Sequence, residues 1–296
     1  MTTSIWQRER AAISGCIDLA VVGGGICGVA AALEAQRAGL AVCLIERGEL
    51  ASGASGRSAG YLMRGVAESY AAAATSYGRE AAAELWRWTE ANLAALRAEG
   101  IEGLRGYADR ASTLVAFDDA EAAILEQSVG MLREDGFDAE TATAPASEPD
   151  SLWQSGLVRQ ALRNPGDAVC DPVAVIEHLA AKLEGRSSIL THTSVSNIDD
   201  TARDAVVIET ARGTIRAERV LVCANAWAAR LVPELFGTVQ PRRAQMAMYH
   251  ADGARLDDAY YANYGHEYFR EIAPGAFIVG GWRRAEADEE VAMAGG

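Results

Sequence analysis

The first clear pattern in the chain is a pair of short apolar runs with a helix-forming segment between them. The runs lie at 17–22 and 41–45, and an alanine-rich segment at 26–38 separates them. Runs that are apolar on both faces are typical of parallel strands in a sheet covered on both sides. The pattern therefore predicts a β-α-β unit and a chain of the α/β class.

Helical periodicity dominates the middle of the chain. Apolar residues recur at helical spacing over 70–99 and over 118–135, and a strand-like run at 112–117 precedes the second helix. Trp88 falls on the apolar face of the first helix, and both Trp86 and Trp88 are expected to lie in the core. The Asp-Pro dipeptide at 171–172 is a good helix start, and Gly185 is expected to end that helix.

The remaining pattern predicts strands and a second domain. Five short runs are expected to be strands: 188–191, 194–198, 205–210, 213–217 and 220–224. From 241 onward the chain alternates and is rich in aromatic residues, which indicates an antiparallel sheet. We expect two discontinuous domains, one formed by 1–70 and 170–238 and the other by 71–169 and 239–296, with a turn-rich linker at 141–150.

Composition narrows the class of protein. The chain has 296 residues, of which 50% are hydrophobic and 23% charged, so a sizeable core is expected. The net charge of −14 argues against a broad basic face, and no nucleic-acid partner is expected. Lys182 is the single lysine, which argues against a P-loop.

Cysteine, histidine and N-terminal signals are also informative. The five cysteines form no CxxC pair and the four histidines are scattered, so neither a disulfide framework nor a metal site is expected. Residues 1–15 contain no long apolar run, and the apolar stretch at 19–33 is interrupted by glycines. We therefore expect no signal peptide, no membrane span and a cytoplasmic location with reduced thiols.

The motif that carries chemistry is a glycine pattern at the end of the first predicted strand. Gly23, Gly25 and Gly28 form GxGxxG where a helix begins, and Glu46 ends the second strand 18 residues after Gly28. In dinucleotide-binding domains such glycines allow a tight turn, the approach of a pyrophosphate and close packing of helix on strand. An acid at this spacing accepts hydrogen bonds from ribose hydroxyls. The arrangement predicts a dinucleotide site.

Three interpretations of the motif stay open at this point: an FAD site, an NAD-dependent dehydrogenase, and a glycine turn with only a structural role. A Gly/Ser loop runs from Gly48 to Gly60, directly after Glu46. A plain NAD domain rarely needs such a loop, so the loop favours FAD.

The segment at 18–60, DLAVVGGGICGVAAALEAQRAGLAVCLIERGELASGASGRSAG, resembles the D-amino-acid oxidase superfamily of FAD-dependent oxidoreductases. Similar segments follow in the order of that family: DPVAVIEHLA (171–180), VLVCANAW (220–227), PRRAQM (241–246) and EYFREIAPGAFIVGGW (267–282). The loop and Asn225 are similar to the branch that includes gamma-glutamylputrescine oxidase. That branch more often has GRNGG, from which Ser58 and Ala59 depart.

The resemblance implies a set of cofactor-binding residues. Gly23, Gly25 and Gly28 would hold the pyrophosphate, and Glu46 would hold the adenosine ribose with Arg47 beside it. The residues implied to line the flavin and its phosphates are Ser52, Ser55, Gly56, Arg57, Ser58, Ala59 and Gly60. The backbone of Val195 would meet the adenine, and that of Ala224 would lie near the pyrophosphate.

The resemblance also implies a fold and a reaction. The fold would be a GxGxxG-type, Rossmann-like FAD-binding domain with an inserted substrate domain that contains an antiparallel sheet. The reaction would oxidise the C–N bond of a small-molecule amine or amino acid to an imine by hydride transfer to the flavin, with oxygen or another acceptor taking up the electrons. No catalytic acid or base is assigned, because a neutral amine needs none.

One departure concerns the C-terminal end. Family members usually continue past the Gly-Gly strand, and this chain stops at Gly296. The resemblance therefore implies a C-terminally truncated member. A non-catalytic, nucleotide-binding fragment is the alternative to an active oxidoreductase.

Two further sets of residues have open interpretations. Tyr249, Tyr268 and Trp282 form a tentative substrate pocket, with ordinary sheet packing as the alternative. Arg283 and Arg270 are uncertain carboxylate ligands. Gly56-x-Ser58-x-Gly60 matches the nucleophile elbow of hydrolases, but that elbow needs a strand before it and a helix after it. The flavin-loop interpretation explains these glycines better.

Overall fold

The computed structural model describes residues 16–142, 150–201, 204–239 and 244–281. The strands are β1 (Cys16–Val22), β2 (Val42–Ile45), β3 (Tyr61–Leu62), β4 (Ala108–Asp109), β5 (Ser112–Ala116), β6 (Glu140–Thr141), β7 (Gln160–Asn164), β8 (Ala168–Val169), β9 (Ser188–Leu190), β10 (Val195–Asp199), β11 (Val206–Thr210), β12 (Gly213–Val222), β13 (Met246–His250), β14 (Ala259–Ala262), β15 (Glu267–Ala273) and β16 (Ala276–Gly280). The helices are α1 (Ile26–Arg37), α2 (Tyr70–Tyr77), α3 (Arg79–Ala98), α4 (Asp119–Glu134), α5 (Ser151–Gln154), α6 (Pro172–Ala180) and α7 (Ala228–Leu231).

The described residues form two compact units. The first contains those up to Ser58 and those between Pro172 and Pro241. The second contains Ala59–Asp171 and those from Arg242 onward. The sequence predicted the corresponding divisions near 70, 170 and 238.

The first unit is built on a six-stranded sheet in the order β10-β11-β12-β1-β2-β9. The strands β12, β1, β2 and β9 run parallel, and β10 and β11 add an antiparallel hairpin beside β12. All four residues of β2 are buried, as its uniformly apolar sequence requires. The predicted β-α-β unit is therefore present as β1-α1-β2, and the α/β class is confirmed.

The second unit contains a seven-stranded sheet in the order β13-β16-β15-β14-β5-β7-β6. Most neighbours are antiparallel, as predicted, but β14 and β5 are parallel. Trp86, Leu125 and Phe137 belong to a core in which the helices pack on this sheet. The small sheet β3-β8-β4 completes the unit.

A buried polar network lies inside the second unit. Arg64, 6% exposed, donates from Nε to Asp167 Oδ1 at 2.8 Å, and Asp167 is fully buried. The second carboxylate oxygen of Asp167 accepts from the Ser112 hydroxyl. Burial raises the pKa of Asp167, while the hydrogen bonds from Ser112 and Arg64 lower it.

The structure corrects several predicted elements. The single helix predicted over 70–99 is two helices, because Gly78 adopts φ +89° between α2 and α3. Trp88, predicted to lie on the buried face, is 63% exposed. The helix that follows Asp171 ends at Ala180 rather than at Gly185. The strands predicted at 213–217 and 220–224 are the single strand β12.

Part of the predicted linker and of the C-terminal segment lies outside the described residues, namely 143–149 and 282–296. At the edges of the predicted linker, Thr141 is the last residue of β6, and Asp150 is the N-cap of α5, which begins at Ser151. No helix in the described ranges is long and apolar enough to cross a membrane.

Candidate functional site

The glycine motif forms a tight turn at the carboxyl end of β1. Gly23 adopts φ +118°, and its N–H donates to the carbonyl oxygen of Ile45 at 2.8 Å. A Cβ on Gly23 would lie 2.4 Å from the carbonyl oxygen of Cys223, and one on Gly28 would lie 1.9 Å from that of Gly23. Both obstacles are backbone, so this turn requires glycine at the two positions.

The helix α1 begins directly at this turn. Gly25 is its N-cap and offers no side chain to bond the free N–H groups of the first turn. Ser55 supplies one acceptor from another segment, since its Oγ accepts from the N–H of Ile26 at 3.1 Å. The N–H groups of Cys27 and Gly28 remain as the donors that a phosphate could use at the positive end of the helix.

Glu46 lies at the carboxyl end of β2, beside the glycine turn. Its Oε2 accepts from the N–H of Gly24 at 2.7 Å and its Oε1 from the N–H of Gly48 at 2.8 Å. The carboxylate therefore braces the turn on one side and the start of the Gly/Ser loop on the other. Each carboxylate oxygen has a second lone pair, so hydrogen bonds from ribose hydroxyls remain possible.

The Gly/Ser loop folds back on the glycine turn. The N–H of Ala51 donates to Gly24 O at 2.9 Å, and that of Gly56 donates to Ala51 O at 3.1 Å. A Cβ on Gly56 would lie 2.2 Å from Ala51 O. The side chains of Ser52, Arg57 and Ser58 are exposed at this surface.

The surroundings of Ser58 contradict the hydrolase alternative. A 3₁₀ turn, Ser55–Arg57, precedes Ser58, and the short strand β3 follows it. A nucleophile elbow has the opposite order of strand and helix.

A cation–π contact between Arg47 and Trp227 links the segments that follow β2 and β12, the two neighbours of β1 in the sheet. Arg47 follows β2 and Trp227 follows β12, while β1 lies between these strands in the sheet. The Arg47 guanidinium carbon lies 4.2 Å from the centroid of the Trp227 ring, and that of Arg230 lies 4.4 Å from it. This stack of two cations on one indole was not predicted, since only the fold brings the three residues together.

The two predicted backbone contacts also lie in the first unit. Val195 begins β10, and its side chain packs against the core cluster that contains Ile208 and Ile215. Ala224 follows β12, and its N–H lies 3.3 Å from where a Cβ on Gly23 would stand. Ala224 therefore borders the glycine turn.

Ala59 and Gly60, the last residues of the predicted flavin loop, belong to the second unit. Gly60 adopts φ +69°, and its carbonyl oxygen accepts from the N–H of Cys170 at 2.8 Å. Arg270 donates from Nε to Ala59 O at 2.7 Å and from Nη2 to Cys170 O at 2.9 Å. The turn is thus tied to both β8 and β15.

Two of the three tentative substrate residues, Tyr249 and Tyr268, lie among the described residues. Tyr249 is 57% exposed on β13, the edge strand of its sheet. Tyr268 on β15 instead packs with Tyr61 and Tyr261, each at a ring-centroid distance of 6.3 Å. Trp282 lies outside the described residues.

Tyr61 and Tyr261 were not singled out from the sequence. Their rings meet at a centroid distance of 4.8 Å, and burial raises the pKa of both phenols. The aromatic character of Tyr261 and its neighbour Tyr260 was a signal for the strand β14. The approach of Tyr61 depends on the fold.

Comparison with known proteins assigns the chain to a family. The model of the family described as "FAD dependent oxidoreductase" (DAO) matches residues 18–293. The chain belongs to this family, which confirms the resemblance found in the sequence, and the cofactor of the family is FAD.

Individual relatives agree with this assignment. The chain is 26% identical to a probable oxidoreductase, OrdL, of Rhizobium meliloti strain 1021 over 292 residues, which cover 92% of this chain and 65% of that protein. A 50-residue stretch, 17% of this chain and 13% of the relative, is 50% identical to N-methyl-L-tryptophan oxidase of Citrobacter koseri. The chain thus spans less than two thirds of the OrdL sequence.

A solved structure shows the same fold. Glycine oxidase from Geobacillus kaustophilus is similar with a TM-score of 0.67 and 24% identity, over 90% of this chain and 71% of that one. At this level of identity the likeness concerns the fold alone.

The residues of the first unit fit an FAD molecule. A Cβ on Gly23 or Gly28 would collide with backbone atoms. A Cβ on Gly25 would lie 2.8 Å from the Oγ of Ser55 and would fill the gap between them. Helix donors for phosphate and an acceptor for ribose stand side by side at one edge of the sheet. This combination of donors and acceptors is the one that a dinucleotide requires.

Proposed function

We propose that the chain binds FAD at the β1-α1 turn and oxidises the C–N bond of a small amine or amino acid. The observation that carries this proposal is the junction of the glycine turn, the open first turn of α1 and the Glu46 carboxylate. The names of the relatives, N-methyl-L-tryptophan oxidase and glycine oxidase, support the substrate class.

The proposed roles of the residues follow from their contacts. The N–H groups of Cys27 and Gly28 would hold the pyrophosphate, with Ser55 fixing the helix start beside them. Glu46 would accept from the ribose hydroxyls while its present bonds to Gly24 and Gly48 keep it in place. Val195 and Ala224 would supply backbone contacts, as the resemblance implies.

FAD, when bound, supplies the hydride acceptor for the carbon next to the substrate nitrogen. The contribution of the protein is to orient the amine and to exclude water. No acid or base of the described chain is assigned to the reaction, because an amine that binds in its neutral form releases no proton before oxidation. Oxygen or another acceptor would then take the electrons.

The test of this proposal is a titration of the chain with FAD, compared with the variant Glu46→Gln. The exchange keeps the shape of the side chain but removes its negative charge. The carboxylate accepts hydrogen bonds from two backbone N–H groups and, in the proposal, from the ribose hydroxyls. Hydrogen bonds to charged groups contribute roughly 1.5–3 kcal/mol, so the dissociation constant of FAD should rise at least about tenfold.

The matched control is Glu49→Gln. Glu49 is 73% exposed at its side chain, which pairs with His192 and makes no hydrogen bond to the described glycine turn. This variant should bind FAD as the parent does. Equal affinity of Glu46→Gln and the parent for FAD would contradict the assigned role of Glu46.

Substrate oxidation is tested separately on the FAD-loaded chain. Each member of a panel of amines, N-methylated amino acids and amino acids is added without oxygen, and the loss of oxidised-flavin absorbance is followed. Bleaching by at least one member is expected. A loaded chain that every compound leaves unchanged would contradict the proposed oxidation while leaving FAD binding intact.

A further inference from the structure

Two arginines contact one tryptophan ring in the first unit. The guanidinium carbons of Arg47 and Arg230 lie 4.2 Å and 4.4 Å from the centroid of the Trp227 ring. Both arginines are exposed, and Trp227 is half-buried. Within the described ranges, neither guanidinium has a carboxylate at salt-bridge distance. The structure thus brings two positive charges close together without an ion pair for either.

The backbone around Trp227 fixes the place of its ring. Asn225 adopts φ +48°, a left-handed conformation that asparagine tolerates better than most residues. The N–H of Trp227 donates to Ala224 O at 3.0 Å, which closes a 3₁₀ turn directly after β12. Arg230 lies three residues further on, in α7, and residues at this spacing are neighbours on a helical surface. Arg47 is therefore the one member of the stack that is remote in sequence.

The stack lies beside the glycine turn. Arg47 directly follows Glu46, whose carboxylate accepts from that turn. Trp227 follows Ala224 by three residues, and Ala224 borders the same turn from the side of β12. Because β1 lies between β2 and β12 in the sheet, the contact between Arg47 and Trp227 passes the carboxyl end of β1. Both guanidiniums are thus at the edge where the first turn of α1 offers its free N–H groups.

The charges at this edge favour an anionic ligand. The start of a helix supplies only roughly half an elementary charge, whereas a diphosphate carries negative charge on both phosphates. The chain has a net charge of −14, and Glu46 adds a carboxylate beside the turn. Two unpaired guanidiniums repel each other, and a cation–π contact at an exposed site offsets this only weakly. A bound phosphate group would compensate both, and guanidinium is well suited to bidentate contacts with phosphate.

We propose that Arg47 and Arg230, arranged on the ring of Trp227, bind the diphosphate of the dinucleotide and neutralise its charge. The arginines would touch the ligand, and Trp227 is a positioning residue. The inference rests on the proposed function, because it takes FAD as the ligand. It goes beyond the resemblance, which implies Arg47 beside the ribose and gives no role to Trp227 or Arg230.

The first test compares Arg47→Met and Arg230→Met with the parent chain. Each variant removes one charged donor, so the dissociation constant of FAD should rise at least about tenfold. ADP contains the same diphosphate without the flavin, and its affinity should fall by a similar factor. Salt screens exposed charges, so added NaCl should weaken FAD binding less in each variant than in the parent. A purely structural role would not change this salt dependence.

The matched control is Arg212→Met. Arg212 is exposed in the turn before β12, at the other end of that ten-residue strand from the glycine turn. Its variant removes the same charge from the same unit and should bind FAD and ADP as the parent does. Thermal unfolding of each apo chain reports any general loss of structure, and all three midpoints should stay near that of the parent.

The second test concerns the aromatic ring. Trp227→Leu removes the face that both guanidiniums contact and should raise the dissociation constant of FAD about threefold or more. Trp227→Phe keeps an aromatic face and should restore most of the affinity. Equal affinity of Trp227→Leu and the parent would overturn the positioning role.

The outcomes separate this proposal from the proposed function. Parent affinity for FAD and ADP in both arginine variants would overturn the phosphate role, as would an equal loss in Arg212→Met or a loss for FAD without one for ADP. A parent chain that binds ADP but not FAD would contradict the proposed function, and the ADP affinities of the arginine variants would then decide on the stack. A parent that binds neither nucleotide would overturn both.

Discussion

The requirement for glycine in the β1-α1 turn can be tested by adding one methyl group where its packing is tightest. In Gly28→Ala the new Cβ would lie 1.9 Å from Gly23 O, whereas Cβ contacts below 3.0 Å are essentially never seen. The backbone must therefore separate by about 1 Å at a junction where Gly23 also bonds to Ile45. Overpacking against backbone of this kind costs up to about 3 kcal/mol.

The expected result is a fall in the thermal unfolding midpoint of roughly 10 °C, measured by circular dichroism. The matched control is Gly130→Ala in α4, where an added Cβ has no heavy atom within 4 Å. That variant should be more stable by up to about 1 kcal/mol, because alanine favours the helix. An unchanged midpoint for Gly28→Ala would refute the packing argument.

Two further predictions concern the buried charges of the second unit. Asp167→Ala leaves the buried Arg64 with only the partly exposed Glu90 as an ion-pair partner among the described residues, and it should cost about 3 kcal/mol in urea unfolding. The control Asp109→Ala removes an exposed ion pair with Arg97 and should cost under about 1 kcal/mol. Burial raises the pKa of Glu121 above its ordinary value of 4.5, so the folded state binds a proton more tightly than the unfolded state. The free energy of unfolding therefore falls as the pH rises from about 4.5 through the raised pKa of the folded state. Glu121→Gln can keep the bond from the Tyr264 N–H and should raise the unfolding midpoint at neutral pH but not below the ordinary pKa. Equal shifts of the unfolding midpoint at both pH values would contradict the predicted effect of the raised Glu121 pKa.

The first unit could be predicted best because its signals are local. The predicted helix at 26–38 agrees with α1 to within one residue. The glycine turn marks the start of the helix and Gly39 marks its end, and both signals are local. The placement of Glu46 beside the turn also followed from the order of strand, helix and strand. What the sequence did not indicate was that this carboxylate already bonds to Gly24 and Gly48.

The second unit was predicted less well because its contacts are remote in sequence. The strand β14 was missed, and its neighbour β5 lies far earlier in the chain. Both Trp86 and Trp88 were expected in the core. Trp86 is buried against Tyr70 and Phe137, whereas Trp88 is exposed. Which face of a helix is covered depends on the elements packed against it, and one sequence does not contain that information.

The contacts of Arg270 illustrate the same limit. Its two acceptors lie 211 and 100 residues away along the chain. From the sequence it was one of two uncertain carboxylate ligands, with Arg283, whereas in the fold it donates to the carbonyl oxygens of Ala59 and Cys170.

FAD binding at the β1-α1 turn can be tested directly. The most direct measurement is gel filtration of the purified chain after incubation with FAD, or in parallel with NAD, followed by an absorbance spectrum of the protein peak. We expect flavin bands that stay with the protein peak, and no retained NAD. A protein peak without flavin, or one that retains NAD instead, would contradict this expectation.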